Sequence, residues 1–312
     1  MPEMTSTGES RGGTAVPLPM LASPSGGSNP LSRAYRGATR FSRRQPLGAV
    51  TAVLLLIFAG IAVLGPAITP HDPGEMISGA RLQSPSWEHP LGTDDRARDV
   101  LSRTMAGARV SLEVAFLAVG LGVVTGTILG VMSGYFGGFF DLTVQRLMDA
   151  LSAFPGLILA LTFAALLGPG ILNVMVAIGI IIIPGANRIV RGQTLSVAQN
   201  QYVDAARTLG ASELRIITRH VGPNIIAPVI IIASIVMGFA ILIEASLAFL
   251  GVGADLTTPS WGQSLSGGRS LMEFAPWLVL APGGAITVVV LAFNLFGDAL
   301  RDELDPSLRG SR

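Results

Sequence analysis

Long apolar stretches alternate with polar ones along the 312 residues, and the apolar ones number six. The first runs from Gln45 to Pro70 without a charge, which exceeds the ~20 residues a helix needs to cross a bilayer core. The second covers Val114 to Phe140, again uncharged. The third occupies about Ala150 to Leu167, with Pro155-Gly156 near its start and a tight turn predicted at Gly168-Pro169-Gly170. The fourth extends from Ile171 towards Val190. Pro184-Gly185 inside it predicts a kink, because proline removes a backbone donor and crowds the preceding turn. The fifth runs from about Ile225 to Leu250 and the sixth from Phe274 to Gly297. Six such spans predict an all-α integral membrane fold.

The polar segments differ in character. Residues 1–45 are rich in Gly, Ser and Pro and then in Arg, with no apolar period, which predicts a disordered tail. That tail is too long for the n-region of a cleaved signal peptide, so the first span reads as an uncleaved anchor. Residues 71–103 hold Pro73, Pro85 and Pro90 with a scatter of acids and predict an ordered extramembrane loop. A short polar turn with Asp141, Arg146 and Asp149 leads into the third span. From Gln201 to Asn224 lies a polar island that reads as helix, break, helix. Tyr202, Ala205, Ala206 and Leu209 recur at spacings of three and four, giving one small, fairly apolar face. Gly210 ends that helix, Ser212 is placed to cap a second one through Arg219, and Pro223 limits its length. On pattern alone, two short helices resting on the bilayer surface would look the same.

Within the second span Gly122, Gly126, Gly130 and Gly134 recur every fourth residue, on one helix face. This is a flat stripe for close helix packing. The fifth span contains one charge, Glu244, a candidate for a proton relay or substrate contact in the path, with an interfacial or helix-packing role as the other reading.

Composition narrows the classes. Half of the residues are hydrophobic and 13% are charged, against roughly a quarter charged in soluble domains. The absence of cysteine excludes disulfides, thiolate metal sites and a cysteine nucleophile. His71, His89 and His220 are too dispersed to suggest a metal site. All 21 basic residues are arginine, so a phosphate-binding loop with its lysine is excluded and any ATP must be hydrolysed by a partner. A net charge of +1 gives no case for nucleic acid.

Several motifs carry a resemblance. Asp204-Ala205-Ala206, then Gly210, then His220-Val221-Gly222-Pro223-Asn224 is similar to the EAA loop of ABC importer permeases, with Asp204 where Glu is usual and Gly222 where Leu is usual. His89-Pro90-Leu91-Gly92-Thr93-Asp94 followed by Arg98-Asp99-Val100-Leu101-Ser102-Arg103 resembles the HPLGTD segment of the dipeptide, oligopeptide and nickel permeases. Glu244 to Gly251, Pro259-Ser260-Trp261-Gly262 and the close from Asn294 to Pro306 resemble the same family, so the likeness covers roughly residues 45–308. It implies a type I ABC importer transmembrane domain, C-type subunit, with six helices and a cytoplasmic coupling-helix loop at 191–224. The coupling residues implied are Tyr202, Asp204, Ala205, Ala206, Leu209, Gly210, Glu213 and Arg215. The implied partners are a second homologous permease, two ATPase subunits that hold the ATP and Mg, and an extracytoplasmic solute-binding protein. The chain itself would bind no cofactor or metal and hold no catalytic residue.

The expected organisation is a cytoplasmic tail over 1–45, a first helix and extracytoplasmic loop over 46–107, a five-helix core over 108–300, and a cytoplasmic tail over 301–312. Six spans place both termini on one side. With the tail cytoplasmic, fourteen arginines face inward, at 33, 36, 40, 43, 44, 146, 188, 191, 207, 215, 219, 301, 309 and 312. Five, at 81, 96, 98, 103 and 269, face outward, which supports both termini in the cytoplasm; the resemblance implies a bacterial inner membrane. The reading is a permease subunit of an ATP-driven importer of peptides or a similar small solute. The rivals are a secondary transporter or channel without ATPase partners, which predicts buried ionisable pairs or inverted halves, and a membrane-embedded enzyme.

Overall fold

In a computed structural model the described residues are 45–252 and 258–304, together with Thr39 and Ser42. Most of the expected tail over 1–45 and of that over 301–312 lies outside them.

α1 (Pro46–Ile68) opens with Pro46 in its first turn and is apolar on every side, as a helix facing lipid can be. Residues 71–99 form the loop that follows. Gly92 turns it with φ +71°, and its missing Cβ would lie 2.6 Å from the Gln83 carbonyl and 2.7 Å from Trp277 Nε1. A side chain would fit there neither sterically nor conformationally.

α2 (Val100–Phe136) is 37 residues long. Asp99 caps it, accepting from the Ser102 amide at 2.8 Å. The helix therefore starts well before the charge-free stretch at Val114, and it carries Arg103, Arg109 and Glu113 on its first turns. Charge content, which set the expected start, does not mark where the helix begins.

Gly137 and Gly138, with φ of +63° and +60°, break the chain between α2 and α3 (Gly138–Ser152). The polar turn expected around Asp141, Arg146 and Asp149 is thus a helix. α4 (Gly156–Leu167) follows a bend of 94°. Its 12 residues reach about 18 Å, too short to cross alone. The third expected span is a bent pair beside five long apolar helices, six spans if that pair counts as one.

α5 (Ile171–Ala198) runs unbroken through Pro184 and beyond Val190. α6 (Gln201–Thr208) and α7 (Glu213–Ile216) form the polar island. Pro223 does not end the second island helix. A π-helical turn over Ile217–Val221 leads directly into α8 (Gly222–Phe249), with the Gly222 amide donating to the Ile217 carbonyl. The wider turn accommodates proline's missing donor and the ring that would crowd an α-helical carbonyl four residues back. α9 (Trp261–Gly268) is a short helix capped by Ser260, and α10 (Trp277–Leu304) completes the bundle.

α2 and α5 share the most extensive contact, and α8 and α10 pack together beside them. The central core is built from small and branched residues such as Ala115, Ala118, Ile178 and Ile241, closed at one end by the fully buried Trp261.

Candidate functional site

The four stripe glycines are buried and all face α5. An added Cβ would fall 2.7 Å from the Gly179 carbonyl at Gly122, 2.7 Å from Ala186 Cβ at Gly126, 2.8 Å from the Asn187 carbonyl at Gly130 and 2.8 Å from the Arg191 carbonyl at Gly134. The seam is therefore backbone against backbone. Along its edge, polar groups tie α3 to α2 and α5. Arg191 holds Asp141 through two bonds of 2.6 Å, Ser133 donates to Asp141, and Gln145 Nε2 reaches Ser133 Oγ at 3.0 Å and Asn187 Oδ1 at 3.1 Å. A bidentate guanidinium–carboxylate pair is the strongest of these joints.

The polar island sits next to that end of the seam. Val203, Ile216 and Val221 are fully buried and anchor it, whereas Leu209 and Leu214 on either side of the turn are 88% and 71% exposed. Of the expected face, Tyr202 and Ala205 are exposed and Ala206 is half-buried. Gly210 makes the turn with φ +76°, and its amide donates to the Arg207 carbonyl at 2.9 Å. Ser212 occupies the N-cap position with extended backbone, but its side chain makes no capping bond. Asp204 pairs with Arg207 at 3.3 Å, and Arg207 stacks over the Tyr135 ring at 5.4 Å. Tyr135 donates to Glu213. Thus the last turn of α2 touches both halves of the island. Tyr135 and Leu214 escape the sequence reading, the first because one tyrosine in an uncharged span carries no periodic signal. Arg215 is exposed.

Glu244 is buried on α8 and faces no open space. Ser111 Oγ of α2 donates to it at 2.9 Å, and the Trp261 amide lies 3.4 Å from the same hydroxyl. Trp261 Nε1 donates to the Thr104 carbonyl at 2.9 Å. The acid thereby joins α2, α8 and the start of α9.

At this end the loop brings together two histidines that the sequence separates. The His71 and His89 rings are 5.1 Å apart, and His89 Nδ1 lies 3.0 Å from Asp99 Oδ1, both buried. His71, His89 and Asp99 could by spacing hold a metal; of the three histidines expected to be dispersed, these two come together, while His220 lies apart beside Tyr202. Asp99 already serves the amide and hydroxyl of Ser102 through its other oxygen. Asp94 gathers Arg98 at 2.7 Å and Arg103 at 3.7 Å.

A family model described as "Binding-protein-dependent transport system inner membrane component" matches residues 126–310. A dipeptide transport system permease protein from Alkalihalophilus pseudofirmus is 40% identical over 275 residues, 88% of this chain and 90% of that one. A glutathione transport system permease protein from Shigella flexneri is 42% identical over 269 residues, 86% of this chain and 89% of that one.

Proposed function

The chain belongs to the binding-protein-dependent transport system inner membrane components, and from that premise we propose the solute, partners and orientation that its structure suits. It is a multi-pass permease subunit of an ABC importer, not an enzyme. The solute proposed is a di- or oligopeptide or a similar small molecule, in keeping with relatives named for dipeptide and glutathione transport. The partners proposed are a second, related permease that supplies the other half of the path, two ATPase subunits that hold ATP and Mg, and an extracytoplasmic binding protein. Both termini and the 201–224 island lie in the cytoplasm, and residues 71–99 outside it.

The observation that carries the coupling role is the island itself. Three buried apolar residues hold it to the bundle, while Leu209 and Leu214 project from it with nothing among the described residues to cover them. Two leucines exposed on either side of the turn in a polar loop suit a docking surface. ATP-driven closure of the ATPases would move the island, and Tyr135, Glu213 and Arg207 would pass that movement to α2 and so to the glycine seam. ATP is the ligand whose affinity differs between the two states.

Co-purification in mild detergent tests the partners: ATPase subunits at fixed stoichiometry are expected, and their reproducible absence would overturn the reading. A deletion strain should lose growth on defined peptides as sole nitrogen source. Undiminished growth on all of them would remove the peptide assignment.

A further inference from the structure

Arg109 and Glu113 stand on α2, four residues apart and so on one helix face, and both are exposed. The count of loop arginines passes over the first, and the second lies one residue before the charge-free stretch. Their depth follows from the packing of α1. An added Cβ at Gly65, one turn from the end of α1 at Ile68, would lie 3.6 Å from the Met105 carbonyl, so Met105 marks a level near that end. At 1.5 Å per residue, Arg109 lies about 6 Å and Glu113 about 12 Å further along α2. Since α1 is about 34 Å long and uncharged throughout, Glu113 lies near the middle of the hydrocarbon layer.

A charge aimed at lipid tails at that depth is strongly disfavoured, and charged residues in spanning helices face a water-filled cavity or another protein surface. Here a cavity is present. Arg109 and Glu113 border a hollow of about 440 Å³ between α1 and α2, whose remaining lining is apolar and includes Phe58, Ala59, Phe116, Met237 and Phe293. Small-molecule sites have this make-up, with an apolar wall and a few placed polar groups in a volume of ~300–1,000 Å³.

We propose that Arg109, Glu113 and this hollow form a solute-contacting stretch of the translocation path, with the solute a zwitterion that carries an apolar group. A carboxylate would pair with the Arg109 guanidinium in the bidentate manner. An ammonium would sit on the Glu113 carboxylate, and an apolar side chain would enter the hollow. Each charge then meets its opposite when solute passes and water when it does not. The inference rests on the peptide-permease reading and adds to it where, along α2, the solute touches the wall.

Because the chain has no cysteine, the test is thiol accessibility in the whole importer, reconstituted in lipid vesicles with its partner subunits. Labelling by a charged, impermeant methanethiosulfonate is read on this chain. Glu113→Cys is expected to react at least tenfold faster than Leu56→Cys, a position 71% exposed on α1. A saturating dipeptide delivered by the binding protein should slow the reaction at least threefold. Reaction no faster than at Leu56→Cys would place the face against lipid or a protein partner and overturn the proposal. Fast reaction without protection would make the hollow a water pocket away from the solute and also overturn it. Should the cysteine variant fail to assemble, Glu113→Gln keeps the side-chain shape. It is expected to raise the half-saturating peptide concentration at least fivefold, and unchanged uptake would count against the site. Stimulation of wild-type ATP hydrolysis by loaded binding protein, measured in the same vesicles, tests the peptide-permease reading separately. Its absence sinks that reading, and its presence with an unreactive residue 113 sinks only the site.

Discussion

Gly126→Ala adds one methyl group to the seam between α2 and α5. The new Cβ would lie 2.7 Å from Ala186 Cβ, 2.8 Å from the Ile183 carbonyl oxygen and 3.1 Å from the Asn187 amide nitrogen. Carbon atoms in contact settle at about 3.5–4.0 Å, so the methyl group intrudes by roughly 1 Å. All three neighbours are backbone or Cβ atoms of a helix, so no rotamer change relieves the clash and the two helices must separate. Inserting a methyl group into such a contact costs about 1–3 kcal/mol, against which alanine regains ~0.8–1.0 kcal/mol of helix propensity over glycine. Gly120→Ala is the matching control, because it lies on the same helix with nothing within 4 Å of its added Cβ. It receives the propensity gain without the clash. The propensity term cancels between the variants, leaving Gly126→Ala lower by the packing cost alone. That corresponds to an unfolding midpoint about 2–12 °C below that of Gly120→Ala, at 2–4 °C per kcal/mol for a domain of this size. The assay heats the purified assembled complex and follows the fraction that still elutes intact. Equal midpoints for the two variants would show that the seam relaxes freely and that close approach of α2 and α5 does not hold the bundle.

Some of this architecture is legible in the chain and some is not, for physical reasons. The glycine repeat shows because a period of four marks one helix face whatever the rest of the fold does. Its partner does not show, since Gly179, Ala186 and Asn187 of α5 share no pattern that singles them out. The start of α2 is hidden because Arg103, Arg109 and Glu113 interrupt the uncharged run from which a span is read. The local signal was present in Asp99 and Ser102, a capping pair three residues apart. The same preference for uncharged runs turns α3 into an apparent loop, although Gly137-Gly138 and Pro155 bracket it as a helix between two breaks. Pro223 misleads for the opposite reason. A proline normally limits a helix, and only a π-turn, which no residue type announces, lets the chain continue. The pairing of His71 with His89 and of Tyr135 with Glu213 depends on tertiary contact and has no trace in spacing.

Three further outcomes test the island and the orientation. Ser86→Cys should react with an impermeant thiol reagent in intact cells while Ser212→Cys reacts only after permeabilisation, both positions being exposed; the reverse pattern would invert the topology and put the island out of reach of an ATPase. Tyr135→Phe removes the bond to Glu213 but keeps the ring under Arg207. It should cost less than about 1.5 kcal/mol of stability yet lower the stimulation of ATP hydrolysis by loaded binding protein, and unchanged stimulation would take Tyr135 out of the relay. The last concerns Gly210, where the backbone can be separated from packing because an added Cβ meets nothing within 4 Å. With φ at +76°, Gly210→Val suffers strain alone, about 1–2 kcal/mol or more for a β-branched residue in the left-handed region, so the turn is expected to reopen and redirect α7 with Leu214. Gly210→Asn tolerates that region and should keep the turn. If the island seats in an ATPase groove by the geometry of that turn, the valine variant reaches the membrane with its partners but loses uptake, and the asparagine variant retains it. Wild-type uptake with valine, or equal loss with both, would mean that the angle set at Gly210 is not what couples the two proteins.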